Sequence, residues 1–368
     1  MPNSRFFRFL IATALILLII FLGSLVPFIF RPLVVFFQTL FIPFLIAGVL
    51  YYLLRPIVLF LHRKKVPKAL SIFLIYLALI GVVTGLVFLV GPVLQRQFMN
   101  LVDNFPVLVN ELGKIVIEVQ QNEWFARFQE TDNFSVEEIT QNMMGYLREG
   151  FDIFTANLAS FIGMITNIVL MMILVPFVLF YLLKDGPEAP NQVLRFFPEK
   201  QQLEGKRILK DMDEALSSYI QGMVIVSFCV GLLMYISFLI IGIEYSLILA
   251  FIAMFTNVIP FIGPWIGTIP AVIVAIIDSP IMVLWVLLAI VIVQQIESNF
   301  ISPQVMGRKL SIHPLTIILL ILVAGRFAGF LGLILAVPTY AVLKVIISHM
   351  YRLLKLRKKI DEELNGNN

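Results

Sequence analysis

The sequence has little of what catalytic and metal-binding sites are usually built from. Its 368 residues include one cysteine, Cys229, and three histidines. A single cysteine excludes a disulfide framework and a cysteine zinc site. Neither the His-Glu-x-x-His pattern of metalloproteases nor the Gly-x-x-x-x-Gly-Lys-Ser/Thr pattern of ATP-binding loops occurs. We therefore predict that the protein is not an enzyme, holds no cofactor or metal and is not driven by ATP.

Charge is also scarce, and long apolar runs take its place. Charged residues make up 14% of the chain and hydrophobic ones 60%, against about 25% and about 45–50% in ordinary globular proteins. A soluble fold of this composition would expose large apolar patches, which soluble monomers rarely do. Apolar runs of about 20 residues are long enough to cross a bilayer as helices. The sequence predicts an all-α, polytopic transmembrane helix bundle of about seven or eight spans.

The apolar runs are interrupted at positions that divide the chain into six parts. Residues 1–93 are expected to form transmembrane spans 1–3, and the long polar interruption after them is expected to lie outside the membrane. The remaining parts follow in order: an amphipathic helical insert at 94–158, span 4 at 159–183, a cytoplasmic amphipathic segment at 184–218, a transport core rich in Gly and Pro at 219–348, and a basic tail at 349–368.

The placement of Lys and Arg predicts the orientation in the membrane. Most basic residues lie near the N-terminus, in the loop after span 2, in 184–217 and in the tail, whereas 94–158 is acidic. Basic loops stay on the cytoplasmic side of membrane proteins. Both termini are therefore expected in the cytoplasm and the 94–158 insert outside. Within the insert, Asp103 and Asn104 ahead of Pro106 indicate a helix that restarts there.

One cluster of polar residues stands out within the apolar C-terminal half. Gln294, Gln295, Glu297 and Asn299 lie at the end of a span, and helical spacing puts Gln294 and Glu297 on one face and Gln295 and Asn299 on the neighbouring one. Polar groups in lipid are costly and mark functional sites by default. Glu297 with its amide neighbours could bind a cation or carry a proton. A polar helix end at the cytoplasmic interface is an equally good interpretation.

Two stretches predict breaks in helices at membrane depth. The first runs from Asn257 to Pro270 and holds three Pro and two Gly within eleven residues, too many for a regular helix. The second is the glycine-rich stretch 325–332, where the run from Pro314 to Ser348 is expected to bend into a hairpin. Irregular backbone in hydrocarbon survives only inside protein or along a wet cavity. Small residues that pack neighbouring helices are the alternative interpretation of Gly325 and Gly329.

Arg326 and His313 are further candidates near these breaks. Arg326 could pair with Glu297 or with a substrate anion, or it could extend to the membrane interface. His313 could act as a proton relay because histidine changes charge near neutral pH, although an inert interfacial histidine is the commoner case.

At these residues the chain resembles a known family. The string from Pro260 to Pro270, the Gln295–Asn299 segment and the Gly and Pro positions that follow resemble the autoinducer-2 exporter family of bacterial membrane proteins. The resemblance extends over the whole chain in layout and implies a multi-pass protein of the bacterial plasma membrane, a homo-oligomer, and export of a small solute or exchange of Na⁺ or Li⁺ for protons. The broken-helix motif that carries it comprises Pro260, Gly263, Pro264, Gly267, Pro270, Pro303, Gly307, Pro314, Gly325, Gly329, Gly332 and Pro338.

We therefore expect a secondary transporter whose path runs between 257–270 and 325–332. The candidate path residues are Glu297, Asn299, Gln295, Gln294, Asn257 and Arg326. Glu297 is expected to be the coupling carboxylate. The expected partners are membrane lipid, a small-molecule or monovalent-cation substrate and further copies of the chain, with no nucleic acid. A channel and a non-transporting structural or assembly protein remain as alternatives.

Overall fold

The computed structural model describes residues 10–15, 17–18, 21–22, 27–120, 142, 145–146, 149, 168–306 and 313–365. Part of the expected first span and about half of the 94–158 insert therefore lie outside the described residues, as does Gly307. Every regular element assigned within the described residues is helical: α1 Pro27–Arg63, α2 Lys68–Gln120, α3 Ile168–Asp185, a 3₁₀ turn Gly186–Glu188, α4 Ala189–Leu194, α5 Glu199–Ile241, α6 Ser246–Thr256, α7 Ile262–Asp278, α8 Pro280–Ile296, a π-helical turn Glu297–Ile301, α9 Ser302–Met306 and α10 Pro314–Asn365.

The all-α fold class is confirmed. Five helical stretches in the described part are long and apolar enough to cross a membrane, and α6 and α7 are shorter apolar helices. Their outward faces are also apolar, with Phe88 77% and Leu89 78% exposed. That exposure is unfavourable in water and favourable in lipid. The chain is a polytopic helical bundle.

Helix α2 is longer than the sequence predicts. It runs without interruption from Lys68 to Gln120 and keeps Pro92 and Pro106 inside it, so no helix restarts at Pro106. A proline in a helix interior removes one hydrogen bond and strains the preceding turn, but the turns on either side can keep the helix continuous. The expected boundary at residue 93 therefore falls within one helix.

Two hydrophobic clusters hold the bundle together. The smaller cluster packs α1, the first half of α2 and α3 around Ala47, Val58, Ile72 and Leu179. The larger cluster packs α5 to α8 around the buried side chains of α5, and Leu101 of α2 belongs to it. Helix α2 thus joins the N-terminal helices to the C-terminal core.

The C-terminal core contains a first helical hairpin, formed by α6 and α7 and called hairpin 1 below. Helix α6 has 11 residues, about 16 Å at 1.5 Å per residue, so it is too short for a hydrocarbon layer of about 30 Å. A β-carbon added to Gly263 would lie 1.8 Å from Thr256 O, and one added to Gly267 would lie 2.7 Å from Ala253 Cα. The two helices are therefore antiparallel and in backbone contact, and 257–280 returns toward the end from which α6 enters.

A second hairpin, hairpin 2, lies within α10. Ala328 and Gly329 leave helical geometry, and Gly329 adopts φ 56° and ψ −138°. A β-carbon on Gly332 would lie 2.0 Å from Ala324 O, although residues eight apart in a straight helix are about 12 Å apart. The chain reverses here, as the glycines predict, and Ile321 packs with Ala336 of the returning arm.

The two hairpins enter the bundle from opposite ends. Helix α1 ends at Arg63 and α2 begins at Lys68, and the Lys68 ammonium donates to the Lys184 carbonyl, so these residues mark one end, called the basic end. Helix α5 runs from the basic end to the far end, where hairpin 1 enters. Hairpin 2 enters from the basic end, and the tip of hairpin 1 meets it at Ile259, which packs with Ile321 and Ala336.

Candidate functional site

The tip of hairpin 1 forms the centre of the candidate site. Helix α6 ends at Thr256, and Pro260 prevents the next turn from continuing because proline lacks an amide hydrogen. Phe261 adopts φ 63°, a left-handed conformation that is rare outside glycine and asparagine. The turn places Asn257 at a position where it is 1% exposed.

The end of α8 meets this tip. After Ile296 the helix widens into the π-helical turn Glu297–Ile301, and such turns are frequent at functional sites. The Glu297 carboxylate lies within reach of the side chains of Asn257 and Gln294. Glu297 Oε2, Gln294 Nε2 and both polar atoms of Asn257 are buried without a well-formed hydrogen bond within the described residues. The three side chains are therefore close to one another but poorly aligned for hydrogen bonding.

Helix α5 carries two more side chains with a buried polar atom that lacks a hydrogen-bond partner. The Tyr219 hydroxyl and the Ser227 hydroxyl are buried and have no hydrogen-bond partner among the described residues. Tyr219 packs with Val258 of the hairpin 1 tip and with Val337 of hairpin 2. Sequence reasoning missed both residues. The two residues are eight positions apart, which places them on the same side of a helix within an apolar run. That pattern is the sequence feature that could have identified them.

These five side chains account for all the buried side-chain N and O atoms that lack a hydrogen-bond partner in the described part of the chain. Three of them lie together, and we call these three the polar cluster: Asn257, Gln294 and Glu297. Leaving a buried polar atom unpaired costs about 1–3 kcal/mol, and native structures keep few of them. A cluster of such atoms around one carboxylate is therefore typical of a place where a ligand supplies the missing contacts.

The charge of the polar cluster comes from Glu297. No ion pair joins Glu297 to a Lys, Arg or His within the residues that the structure describes. Glu297 is half-buried with its Oε2 fully buried, and a carboxylate without a basic partner is unfavourable in a low-dielectric environment. A bound cation or a proton on the carboxylate would remove that cost.

The other predicted path residues lie outside the polar cluster. The Asn299 amide donates to Gln295 Oε1 at 2.8 Å, and both side chains are on the exposed face of the helix. Arg326 is exposed beside the hairpin 2 tip, and no ion pair joins it to Glu297 in the described part. His313 is exposed at the start of α10, where its Nδ1 accepts a hydrogen bond from the Leu315 amide at 3.3 Å. The separation of Gln294 and Glu297 from Gln295 and Asn299 agrees with their helical spacing.

The Gly and Pro positions act in two different ways. Within the stretch from Asn257 to Pro270, only 257–261 is non-helical. The break between the two helices is therefore shorter than the sequence predicts. Gly263 and Gly267 lie inside α7, at a spacing of four residues, and let its backbone touch α6. Prolines are tolerated in the first turn of a helix, and that is where Pro264 lies in α7 and Pro314 in α10. The remaining described motif prolines lie within or at the start of helices: Pro270 in α7, Pro303 in α9 and Pro338 in α10.

The geometry suits the binding of a small cation. The carboxylate of Glu297 and the side-chain amides of Asn257 and Gln294 lie together in the polar cluster, and oxygen atoms are the ligands that hard cations prefer. In the described residues no group of three His, Cys, Asp or Glu side chains could hold a metal ion. With one carboxylate, the polar cluster therefore fits a monovalent cation or a proton better than a divalent metal.

Comparison with known proteins agrees with this membrane architecture. The family described as AI-2E family transporter matches residues 9–352. The chain is 41% identical to a Bacillus subtilis protein named "Putative transport protein YueF", over 95% of each chain. It is 33% identical to "Putative transport protein YrrI" of the same organism, over 92% of this chain and 94% of the relative. It is 29% identical to "Putative permease PerM" of Escherichia coli, over 86% and 88%.

Proposed function

Because the chain belongs to the AI-2E transporter family, we propose that it is a secondary transporter that exchanges a monovalent cation, Na⁺ or Li⁺, for protons. The observation that carries this proposal is the polar cluster, in which Glu297 has no basic partner among the described residues. A deprotonated Glu297 would hold the cation, and a protonated one would release it. Proton and cation would thus compete for the same carboxylate.

The re-entrant hairpins support a carrier with a central site. Broken helices that meet near the middle of a membrane protein are characteristic of secondary transporters. Hairpin 1 reaches the polar cluster from the far end, and hairpin 2 reaches it from the basic end. Movement of either hairpin would open the polar cluster to one side of the membrane at a time.

We propose that the basic end faces the cytoplasm, with both chain termini on that side of the bacterial plasma membrane. Lys64, Lys68 and Lys184 cluster at the basic end, and positive charge is retained on the cytoplasmic side. The polar cluster then lies closer to the cytoplasmic surface than to the outer one, since hairpin 2 meets it after about two turns of helix.

We also propose that copies of the chain associate through the exposed face of α8. Gln295 and Asn299 satisfy only part of each other's hydrogen-bonding capacity, and amides at membrane depth favour contacts between helices. A Gln295→Leu, Asn299→Leu double variant is expected to dissociate the oligomer in native mass spectrometry. An unchanged subunit number in that variant would contradict this face as the interface.

The test of transport uses purified protein in proteoliposomes with a trapped pH dye. Pulses of Na⁺, Li⁺ and K⁺ are expected to drive proton movement, and Glu297→Gln is expected to reduce it at least about tenfold because the neutral amide cannot exchange a proton. Glu244→Gln is the matched control, since Glu244 is exposed at the far end. Unchanged rate and pH dependence in Glu297→Gln would contradict the role of Glu297. No response of the parent to any cation would favour solute export instead.

A further inference from the structure

A cleft between α5 and the returning arm of α10 lies at the basic end. It is a cavity of about 200 Å³ lined by Asp211, Ala215, Ala341, Lys344, Val345, Ser348 and His349. Asp211, Ala215 and Tyr219 follow one another at four-residue spacing, so they lie on one face of α5. Tyr219 is therefore one helical turn, about 6 Å, above the cleft.

A thin layer of apolar side chains separates the cleft from the polar cluster. Tyr219 and Val337 are 6% and 2% exposed and pack with Met223, Met306 and Val258. Beyond Val258 the next residue toward α6 is Asn257 of the polar cluster. One layer of side chains thus separates an open cleft from the buried polar cluster.

Below this layer, a histidine joins the two walls of the cleft. His349 on α10 has its Nε2 2.8 Å from Asp211 Oδ2 and its Nδ1 3.3 Å from Glu204 Oε1, both on α5. The side chain of His349 is 12% exposed. The contacts tie the returning arm of hairpin 2 to the polar half of α5.

The chemistry of these contacts requires a proton on each ring nitrogen. Carboxylates only accept hydrogen bonds, and a neutral imidazole carries one N–H. A neutral imidazole can therefore make only one of the two hydrogen bonds, whereas an imidazolium can make both. The charged groups nearby are Arg207, which pairs with Glu204, and Lys344, which lines the cleft.

We propose that this cleft is the cytoplasmic entrance to the polar cluster and that the contacts of His349 with Glu204 and Asp211 form a latch that keeps the cleft narrow. The entrance rests on the proposed transport function, whereas the latch does not. With both contacts made, the returning arm of hairpin 2 is held against α5. Loss of the contacts lets the returning arm separate from α5 and opens the cleft.

The latch can be tested by cysteine accessibility because the chain has one native cysteine. In a Cys229→Ala background reconstituted in nanodiscs, Ala341→Cys is the probe, since Ala341 lines the cleft and is 2% exposed. Gln192→Cys, at an exposed position on α4, is the reference and corrects for differences between preparations. The measured quantity is the ratio of their rates of reaction with a membrane-impermeant thiol reagent.

We expect His349→Ala to raise this ratio about tenfold over that of the parent, as loss of a charge-assisted hydrogen bond implies. With His349→Arg, which keeps the positive charge, the ratio should stay close to that of the parent. His62→Gln, a change at a histidine outside the cleft, should behave as the parent does. A His349→Ala ratio equal to that of the parent would overturn the latch.

The entrance is tested in proteoliposomes with the same probe. Reaction of Ala341→Cys with the thiol reagent is expected to stop cation-driven proton movement, and reaction of Gln192→Cys is expected to leave it unchanged. If Ala341→Cys destabilises the protein, Ala215→Cys on the opposite wall replaces it. Flux that survives modification at both positions would overturn the entrance and leave the transport function standing. A parent chain without flux would instead contradict the proposed function.

Discussion

The two helical hairpins share one construction and differ at their tips. Each is closed by glycines that bring two antiparallel helices into backbone contact. The tip of hairpin 1 buries Asn257 against α5 and the end of α8, whereas the tip of hairpin 2 exposes Phe327 (87%) and Phe330 (65%). The difference supports the proposal that hairpin 1 carries binding groups and that hairpin 2 covers them from the basic end.

The two tips differ because the backbone reverses in a different way in each and because, within the described residues, only the tip of hairpin 1 has buried, unpaired polar side-chain atoms. Hairpin 1 has a non-helical break at 257–261 that holds the unpaired polar atoms of Asn257, and such a break is tolerated in a membrane protein only inside the protein or beside a cavity. Hairpin 2 reverses over two residues, with Gly329 in a conformation that glycine adopts readily. The tip of hairpin 2 therefore does not disturb the polar cluster. Its apolar side chains face outward, where contact with lipid is favourable.

The largest effect on stability is expected when the glycines at the backbone contacts of the two hairpins are replaced. Gly263→Ala and Gly332→Ala would each place a β-carbon about 2 Å from a backbone carbonyl oxygen, which the backbone can relieve only by separating the helices. We expect each to lower the free energy of unfolding by at least about 3 kcal/mol, measured as lost monodisperse protein and a lower thermal transition in detergent.

The matched control for these variants is Gly81→Ala in α2. Nothing lies within 4 Å of a β-carbon at Gly81, so this change should be neutral or stabilise by about 0.5–1 kcal/mol through helix propensity. A mild effect at Gly263 together with a severe one at Gly332 would mean that only hairpin 2 needs backbone contact.

A smaller effect, of opposite sign, is expected at the tip of hairpin 1. Asn257→Leu replaces two buried, unpaired polar atoms with an apolar side chain of similar shape, so it should raise the free energy of unfolding by about 1–2 kcal/mol while it abolishes transport. Thermal unfolding and flux are measured on the same preparation. A less stable variant that still transports would contradict the assignment of Asn257 to the polar cluster.

The smallest effect is expected at the tip of hairpin 2. Phe327→Ala removes a side chain that is 87% exposed, and exposed positions usually change stability by less than about 0.5 kcal/mol. The thermal transition in detergent should therefore match that of the parent. A large loss of stability would show that Phe327 packs against another copy of the chain, and would narrow the contrast between the two tips.

The fold class follows from the sequence alone because few charges and long apolar runs leave a helical membrane bundle as the one stable arrangement. The bend at the glycines of α10 was also predictable, since glycine readily adopts the conformation found at Gly329. The length of α2 was not, because residues 103–106 carry a local signal for a helix start that the packing of α2 on both hydrophobic clusters overrides.

Within the candidate site, helical spacing separated Gln294 and Glu297 from Gln295 and Asn299, and the helix break pointed to Asn257. The sequence by itself determined which residues are costly in a membrane. The tertiary structure decided which buried polar atoms are left without a hydrogen-bond partner in the described part, because it set Asn257 beside Glu297 and left Arg326 exposed at the tip of hairpin 2. Hydrogen-bond partners between elements far apart in the chain depend on how hairpins pack, and no local pattern encodes that.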